Sequence, residues 1–496
     1  MPEHNSNPPT TESFVLKWED LLSPKRERAS RGKSLDDHRS PFEKDYQRII
    51  LSASFRRLQD KTQVFPLDQS DFVRTRLTHS LEVSAFSRSL GQRVCHLLRS
   101  LNHPAAPSES EATKITDVLL SAGLLHDIGN PPFGHYGETT IRDYFRRKLP
   151  HLYFFGKPLN SVLTSRMIAD FLHFEGNAQA LRLMSRLHFL VDEHGMNLTY
   201  AVLGSILKYP VSSLEIDPHS NDIRKKKMGY FLAEEALFED ITQTLGLALP
   251  AVSGRPQALR HPLTFLLEAA DDLAYHTADI EDAYRKDRIT YPRLLEDLHR
   301  EPMIERYSTD IQEQYRTHLQ LLSELYQQAR DTKLPEPELY AIQNFLIATQ
   351  TLLIRDLSQG FVDHYDSIMN GLHTSPLAED RLSGLILDVL ESLAYRYVFH
   401  SKGIIKLEVG ADAILAGLLD RFVPACIYFD TERSLSPVEH RLMVLISDNY
   451  KHNYRTYAEG KSPEYRLYLR LLLVADFICG MTDSYARDLH HKIYGH

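Results

Sequence analysis

The adjacent pair His126-Asp127 follows the apolar segment 118–125 and stands just before a break in the chain. Two glycines and two prolines occur within the eight residues after the pair, and His135 and Glu138 follow the break. Packing rarely brings two histidines and two carboxylates to a buried helix end, because unpaired polar groups there cost several kcal/mol. Metal chemistry uses such a group of side chains, and the segment therefore indicates a metal site.

A metal site of this kind needs ligands from more than one helix. First-row divalent metals used in hydrolysis take imidazole and carboxylate ligands and keep a position open for water. Neighbouring residues on a helix point about 100° apart. His126 and Asp127 can therefore reach one ion only near a helix end, where Gly129 relaxes the backbone. Two further ligands must come from elsewhere in the chain.

Two segments offer those ligands. His79 opens a predicted helix, and two arginines, Arg74 and Arg76, precede it. Taken singly, such a histidine is more often a satisfied surface or core residue, and an acidic helix face is more often solvated. The ordered set His, His-Asp, Asp, with each member framed by apolar helix, is more specific. The downstream segment places four residues on one helical face, namely Asp271, Tyr275, Asp279 and Asp282.

Composition and charge limit the classes of protein. The 496 residues are 43% hydrophobic, which suffices for a large core. The net charge of −9 provides no global basic field, so an anionic ligand must be met by a local cluster of Lys and Arg. Three widely spaced cysteines favour neither a disulfide framework nor a thiolate metal site. The N-terminus lacks the pattern of a signal peptide and no apolar run approaches 18 residues, so we expect a soluble, cytoplasmic protein.

The spacing of apolar residues predicts an all-α fold. From residue 41 onward, apolar residues recur at helical intervals, as in the segment 336–358, and no series of alternating strands stands out. The one exception is Ile404–Val409, which could form a short strand or ribbon. We predict a tail and lead-in over 1–40, a compact catalytic body over 41–300 and a helical part over 301–496 that packs on this body.

The set His79, His126-Asp127 and Asp271 resembles the HD superfamily of metal-dependent phosphohydrolases. Further motifs resemble the bacterial deoxyguanosinetriphosphate triphosphohydrolase family, in the same order along nearly the whole chain, and the stretch 290–400 resembles it least. These motifs are Arg56–Pro66, Arg74–His79, His126–Glu138, His173–Gln179, Glu268–Asp282 and Asp476–Tyr485.

The resemblance implies a reaction and its catalytic residues. A dNTP, in the first place dGTP, is cleaved at the α-phosphorus to give the deoxynucleoside and inorganic tripolyphosphate. His135 and Glu138 take the catalytic roles, and which of them serves the water and which the leaving group stays open. The alternative for His135 is a loop histidine that caps the glycine turns. The implied Mg²⁺ or Mn²⁺ is held by His79, His126, Asp127 and Asp271.

The resemblance also implies contacts to the phosphates. Several cations must converge on a triphosphate. Arg76 is expected near the α-phosphate, Lys208 is expected to reach the phosphates, and Arg441 is a further candidate from the C-terminal part. The basic run Arg224–Lys227 is most simply a solvated loop, although it could attract nucleotide or DNA.

Sugar and base need other contacts. Tyr275 is expected to stack on the deoxyribose and to exclude a 2′-hydroxyl, while Asp279 and Gln63 bond the 3′-hydroxyl. Glu408 is the candidate for reading guanine, because a carboxylate can accept from the N1 and N2 hydrogens together. Two more residues belong to the family pattern around the pocket, Glu175 and Asn177.

Two other functions remain open at the level of sequence. One is a broader dNTP triphosphohydrolase that is activated by a bound nucleotide. The other, from a different class, is a nucleic-acid-binding or scaffold protein on an inactive HD fold, against which the complete set of catalytic residues argues. The family resemblance implies that the body over 41–300 is of HD type and that the part over 301–496 contributes to the nucleotide pocket and to oligomer contacts. It also implies a homo-oligomer, often a hexamer, with single-stranded DNA as a candidate modulator and no membrane partner.

Overall fold

The computed structural model describes residues 15–29, 37–64, 74–188, 192–252, 255–399 and 402–495. The predicted all-α class is confirmed, since 69% of the structure is helical. Phe65 and Pro66, the end of one family motif, lie outside the described residues. The α-helices are α1 Trp18–Leu21, α2 Pro41–Ile50, α3 Ala53–Arg57, α4 Arg76–Ser100, α5 Glu109–Leu125, α6 Gly134–Lys148, α7 Leu159–Val162, α8 Ser165–Leu172, α9 Gly176–Arg182, α10 Tyr200–Ser205, α11 Glu235–Thr244, α12 Pro262–Arg285, α13 Tyr291–Arg300, α14 Thr309–Asp331, α15 Pro337–Asp363, α16 Tyr365–Met369, α17 Leu382–Ala394, α18 Lys402–Ile427, α19 Pro437–Leu445, α20 Asp448–Ala458, α21 Pro463–Cys479 and α22 Asp483–Tyr494.

Shorter helical turns join these helices. The 3₁₀ turns are Leu58–Asp60, Leu149–His151, Ile223–Lys225, Leu232–Glu234 and Pro302–Arg306. The π-helical turns are Leu183–Leu187 and Tyr395–Phe399.

Two small antiparallel hairpins were not predicted from the sequence. Strands β1 Tyr153–Phe154 and β2 Lys157–Pro158 pair across a tight turn, and β3 Ala248–Val252 pairs with β4 Arg255–Ala258. The first turn contains Phe155 and Gly156, both with positive φ, as a two-residue hairpin loop requires. Strands of two residues carry no alternation of polarity, which is why the sequence pattern does not reveal them.

The expected strand or ribbon at Ile404–Val409 is wrong, because the segment lies inside α18. Ile404 is buried, and the next buried apolar residue, Ala411, follows seven positions later on the same helical face. Ile405 and Val409 are exposed. The short apolar run resembles a strand when it is considered alone. Together with the residues that follow it, it has the periodicity of a helix.

Helices α4, α5 and α12 pack against one another and form the part of the core that holds the site. Gly123 of α5 permits a close crossing, since a Cβ at this position would lie 2.4 Å from the Cα of Ser84 in α4. Gly91 of α4 has the same function, because a Cβ there would lie 2.4 Å from Leu119 of α5. The crossing brings the start of α4 to the end of α5.

A second cluster of buried apolar side chains lies around α6, α8, α18 and α21. Its members come from the middle of the chain and from its C-terminal part, and include Phe145, Phe171, Leu415 and Leu472. The division into 1–40, 41–300 and 301–496 stays a prediction. Among the helices in the described ranges, none combines the length and the apolar character that crossing a bilayer requires.

Candidate metal-dependent active site

The four residues predicted as metal ligands lie together where α4, α5 and α12 meet. The ligand atoms of His79, His126 and Asp127 lie within 4.8 Å of one another. Asp271 contacts both imidazoles, with its Oδ1 lying 3.1 Å from His79 Nε2 and 3.5 Å from His126 Nε2. Thr75 caps α4 by accepting a hydrogen bond from the backbone N–H of Thr78, and this start places His79 in the first turn.

The orientation of these side chains fits a divalent cation. His126 Nδ1 donates to the carbonyl of Gly123 at 2.7 Å, since a carbonyl can only accept, and Nε2 therefore carries the lone pair. This Nε2 is buried and has no hydrogen-bond partner among the described residues. An imidazole fixed through one nitrogen in this way is the usual form of a histidine metal ligand. Two imidazoles and two carboxylates are a donor set that suits first-row divalent metals.

Cationic side chains surround the two carboxylates. Asp127 forms an ion pair with Arg76 and accepts a hydrogen bond from Asn130 Nδ2 at 2.6 Å. Asp271 Oδ2 lies 3.1 Å from Lys208 Nζ. Burial opposes the ionisation of Asp127, but the charge of Arg76 holds its pKa well below the ordinary value, and Lys208 lowers the pKa of Asp271 in the same way. The carboxylates are therefore ionised and ready to bind a cation at neutral pH.

His135 and Glu138 form a hydrogen-bonded pair in the first turn of α6. His135 Nδ1 donates to Glu138 Oε2 at 3.0 Å. The imidazole is 75% exposed, whereas only 2% of the Glu138 side chain is exposed. The charge of Glu138 and its hydrogen bond raise the pKa of His135. Burial alone would raise the pKa of Glu138, but the charges of His135 and Lys227 and the N–H of Gly176 lower it to about 2.

The backbone between Asp127 and α6 explains the position of that pair. Phe133 has a φ of 63°, in the left-handed region, and α6 begins at the next residue. The N–H of Phe133 donates to Asp483 Oδ1 at 3.0 Å, and Asp483 Oδ2 accepts from both the N–H and the hydroxyl of Thr62. The C-terminal helix α22 thus holds the start of α6. His135 belongs to a helix, which excludes the alternative of a loop histidine.

Close packing around Gly176 holds the side-chain oxygen atoms of Asn130 and Glu138 in place. Glu138 Oε1 accepts from the N–H of Gly176 at 2.7 Å. A Cβ at Gly176 would lie 2.1 Å from Asn130 Oδ1 and 2.7 Å from Glu138 Oε1. A Cβ at Gly129 would lie 2.2 Å from the backbone of Ala180, so Gly129 also serves close packing. The start of α9 therefore supports both the metal ligand Asp127, through Asn130, and the His135–Glu138 pair.

A cavity of about 390 Å³ opens onto three of the four metal-ligand residues. His126, Asp127, Asp271 and His135 line this ligand cavity. Five of the predicted substrate residues also line it, namely Gln63, Arg76, Asn177, Lys208 and Tyr275.

One cationic side chain of the ligand cavity, Lys227, belongs to the basic run for which a solvated loop was the simplest prediction. Lys227 lines the cavity and forms an ion pair with the buried Glu175, and Tyr209 lies nearby in the same wall. The buried residues Met228 and Tyr230 follow directly after the basic run. This apolar continuation was the available signal that the end of the run turns inward.

A smaller cavity of about 230 Å³ adjoins the first and shares Gln63, Arg76, His135 and Tyr275 with it. Glu408 lines this smaller cavity together with Phe399. The rings of Tyr275 and Phe399 are stacked, with their centroids 6.1 Å apart and an interplanar angle of 10°. The wall of the smaller cavity has several aromatic rings and one carboxylate, whereas the wall of the ligand cavity has three cationic side chains and several carboxylates.

Two predicted substrate residues lie outside both cavities. Asp279 is buried one turn after Tyr275 on α12, and burial together with Asp282 raises its pKa well above the ordinary value. Arg441 is exposed on α19. Within this chain, the structure therefore does not bring Asp279 or Arg441 into contact with the space beside the metal-ligand residues.

Comparison with known proteins gives matches over nearly the whole chain. The HD domain family matches residues 76–201. A deoxyguanosinetriphosphate triphosphohydrolase-like protein of Listeria monocytogenes is 44% identical over 486 residues, covering 97% of this chain and 100% of the relative. A protein of the same description from Pseudomonas aeruginosa is 34% identical and covers 97% and 99%. A deoxyguanosinetriphosphate triphosphohydrolase of Serratia proteamaculans is 32% identical and covers 91% and 93%.

The matches and the geometry agree on one class of protein. The HD match contains His79, His126 and Asp127, whose ligand atoms cluster, and HD domains bind divalent metals. Asp271 lies beyond that match, within the part covered by the longer relatives. The chain therefore belongs to the deoxyguanosinetriphosphate triphosphohydrolase-like family of HD-domain hydrolases.

Proposed function

We propose that this protein hydrolyses dGTP to deoxyguanosine and inorganic tripolyphosphate in a reaction that depends on Mg²⁺ or Mn²⁺. One observation carries the proposal. Three of the clustered ligand residues, His126, Asp127 and Asp271, line the same ligand cavity as His135, whose imidazole is held by Glu138. Three cationic side chains, Arg76, Lys208 and Lys227, line it as well. A metal site with three cationic side chains beside it suits a substrate that carries several phosphates.

The metal would be held by His79, His126, Asp127 and Asp271. When bound, it would supply Lewis-acid polarisation of the α-phosphate and a lower pKa for the attacking water. Arg76 and Lys208 already contact the carboxylates of this set, and both reach from there into the ligand cavity. The same two cations would neutralise charge on the α- and β-phosphates.

His135 moves the proton that the reaction requires. The oxygen of water becomes bonded to the α-phosphorus and gives up a proton, the bond between that phosphorus and the 5′-oxygen breaks, and the 5′-oxygen takes up a proton. An alkoxide of the sugar is a poor leaving group, so a proton must be delivered during the cleavage. Glu138 fixes the imidazole through Nδ1 and stabilises its charged form, which leaves Nε2 for the transfer.

The sugar and the base would occupy the region shared by the two cavities. Tyr275 would stack on the deoxyribose, with Gln63 beside it, because both residues line the ligand cavity and its smaller neighbour. Glu408 would accept hydrogen bonds from guanine in the smaller cavity. Asn177 and Tyr209 line the phosphate side. Asp279 could act only after a rearrangement of α12, and Arg441 only from a second subunit.

The substrate test uses purified protein with Mn²⁺ or Mg²⁺ and each of the four dNTPs in turn, with the products separated by anion exchange. We expect tripolyphosphate and deoxyguanosine, and the fastest turnover for dGTP. Equal rates on all four would replace the proposal with a broader dNTP triphosphohydrolase. Release of pyrophosphate or of dGMP would overturn the reaction class.

The proposed assembly is a cytoplasmic homo-oligomer, with a hexamer as the expected size and single-stranded DNA as a candidate modulator. Light scattering of the purified protein measures the number of subunits. A titration of dGTP hydrolysis with single-stranded DNA tests modulation. DNA binding by a protein that turns over none of the dNTPs would instead favour a nucleic-acid-binding role on an inactive HD fold.

A further inference from the structure

Lys61 is a buried lysine that the proposed reaction does not use. Only 3% of the residue is exposed, and it lines neither of the two active-site cavities. Its ammonium group donates to the backbone carbonyls of Asn130 and Cys479, at 2.6 Å in each case. Among the described residues it forms no ion pair with a carboxylate, and the nearby Asp483 is bonded to Thr62 instead. The side chain of Lys61 therefore acts through the two carbonyls.

The charge on Lys61 opposes folding. Burial lowers the pKa of its ammonium group to about 8, because the charged form loses its hydration. The unfolded chain therefore binds this proton more tightly than the folded chain does, and folding bears the full cost of the charge at neutral pH. An apolar side chain of similar length would fill the same space without that cost. The reason for a lysine at this position must lie in what its N–H groups hold in place.

The first carbonyl that Lys61 holds belongs to the turn after the metal ligand Asp127. The backbone N–H of Asn130 donates to the carbonyl of Asp127 at 3.2 Å, and Asn130 Nδ2 donates to Asp127 Oδ1 at 2.6 Å. Asn130 is thus bonded to both the backbone and the carboxylate of the ligand. A shift of Asn130 would carry the carboxylate of Asp127 with it, and the ammonium group of Lys61 opposes that shift.

The backbone of the same residue holds the start of α4. The carbonyl of Lys61 accepts from the N–H of Arg76 at 2.9 Å, and the next residue, Thr62, pairs with Thr75 in an antiparallel bridge. Arg76 is the first residue of α4, and the metal ligand His79 follows three positions later. Lys61 is therefore bonded through its backbone to the helix that carries one ligand and through its side chain to the turn that carries another.

The second carbonyl gives this arrangement a fixed support. Cys479 is the last residue of α21, and all residues of this helix from Leu467 to Cys479 are buried. The last carbonyls of a helix have no acceptor role within it, and a cation at a helix C-terminus is favoured by the helix dipole. The end of α21 thus holds the ammonium group from the side opposite the metal-ligand turn.

We propose that Lys61 is a positioning residue of the metal site, whose ammonium group holds the turn that carries Asp127 against the start of α4 and the end of α21. The inference rests on the ligand set proposed above. What Lys61 fixes is the separation between the carboxylate of Asp127 and the imidazole of His79, whose ligand atoms lie within 4.8 Å of each other. Without the ammonium group, the carboxylate moves and the site binds a divalent cation less tightly.

Titration calorimetry of the full-length protein with MnCl₂ tests this role without reference to activity. Lys61→Met nearly keeps the length of the side chain and removes its N–H donors, so Mn²⁺ should bind about tenfold more weakly than to the wild type. Lys451→Met is the matched control and should bind Mn²⁺ as the wild type does. Lys451 is also mostly buried and donates to a backbone carbonyl, that of Met443 at 3.1 Å, but it lines neither active-site cavity.

The possible results separate this inference from the proposed ligand set. Equal Mn²⁺ affinities of Lys61→Met and the wild type would overturn the role of Lys61 and leave the ligand set intact. A wild-type protein that binds no Mn²⁺ would overturn the ligand set and the inference together. If Lys61→Met does not fold, Lys61→Gln takes its place, since its shorter side chain keeps an N–H group. Mn²⁺ should then raise the unfolding temperature less than in the wild type, and an equal rise would refute the inference.

A double-mutant cycle tests the route from Lys61 to the metal ligand. Asn130→Ala removes the amide that donates to Asp127. Because Lys61 acts on the carboxylate through Asn130, Lys61→Met should weaken Mn²⁺ binding clearly less in the Asn130→Ala protein than in the wild type. The same loss of affinity in both proteins would show that the two residues act independently, and the positioning role of Lys61 would be refuted.

Discussion

Gly176→Ala is the sharpest test of how the two halves of the active site are held together. The new Cβ would lie 2.1 Å from Asn130 Oδ1 and 2.7 Å from Glu138 Oε1, so both side chains would have to move. Asn130 orients Asp127, and Glu138 orients His135. One added methyl group thus displaces the support of a metal ligand and of the proton-transfer pair together.

The expected magnitude follows from the contacts that are lost. The buried hydrogen bond from Gly176 N–H to the Glu138 carboxylate is charge-assisted, and its loss costs about 1.5–3 kcal/mol. Overpacking adds about 1–3 kcal/mol, and the change from Gly to Ala in a helix returns roughly 0.5–1 kcal/mol. We therefore expect a loss of about 2–5 kcal/mol in the free energy of unfolding. A displacement of about 1 Å near the reacting groups should lower kcat on dGTP by about 10²-fold.

Thermal unfolding and steady-state hydrolysis of dGTP measure these two effects. Gly410→Ala is the matched control, because Gly410 lies inside α18 and a Cβ there would meet no atom within 4 Å. The control should unfold no earlier than the wild type and should keep its kcat. If Gly176→Ala matches the control in unfolding temperature and in kcat, the close packing around Gly176 does not support the site and the reasoning fails.

Three further predictions concern the metal, the proton and the phosphates. His126→Ala should abolish Mn²⁺ binding in calorimetry and dGTP turnover, while His151→Ala, which changes an exposed histidine, should alter neither. Glu138→Gln removes the charge that raises the pKa of His135, so the limb of the pH profile of kcat/KM that His135 sets should move to lower pH. Lys227→Ala should raise KM for dGTP by about 10–100-fold through the loss of a charge-assisted phosphate contact, and the exposed neighbour Lys226→Ala should not.

Each of these predictions has a contradicting result. Full Mn²⁺ binding by His126→Ala would reject the ligand set. A pH profile that stays in place after Glu138→Gln would show that Glu138 does not control the protonation of His135. Equal KM values for the variants at positions 226 and 227 would show that Lys227, like Lys226, does not contact the phosphates of the substrate.

The sequence predicts those site residues that stand in a recognisable pattern with their neighbours along the chain. His126-Asp127 is visible because an apolar helix ends at it and a break follows, and the fold brings His79 and Asp271 to the same place, as proposed from their order in the chain. Lys227 was not visible, because a run of four basic residues looks alike whether its last member faces water or a cavity. Its position depends on the buried residues that follow it and on the pairing with Glu175, which lies 52 residues away.

The fold shows the same division. Helices with regular apolar stripes were predicted, whereas β1 and β2, of two residues each, lack any period that could be read. The strand expected at Ile404–Val409 fails because the helical pattern of α18 extends through it. Gly176 and Asp483 act through contacts with residues 38 and 350 positions away, and only the folded chain brings such partners together.

The contact of Asp483 with Phe133 and Thr62 has a consequence for how the protein is made. Thr62 and Asp483 are 421 positions apart, so the ribosome adds the second on the order of 20–80 s after the first. Until Asp483 has left the exit tunnel, the N–H of Phe133 lacks its acceptor and the start of α6 lacks its anchor. Nascent chains and chains that end early therefore carry the metal-ligand residues without a fixed His135. Only a chain that includes Asp483 can fix the start of α6 and hold His135 beside the metal-ligand residues.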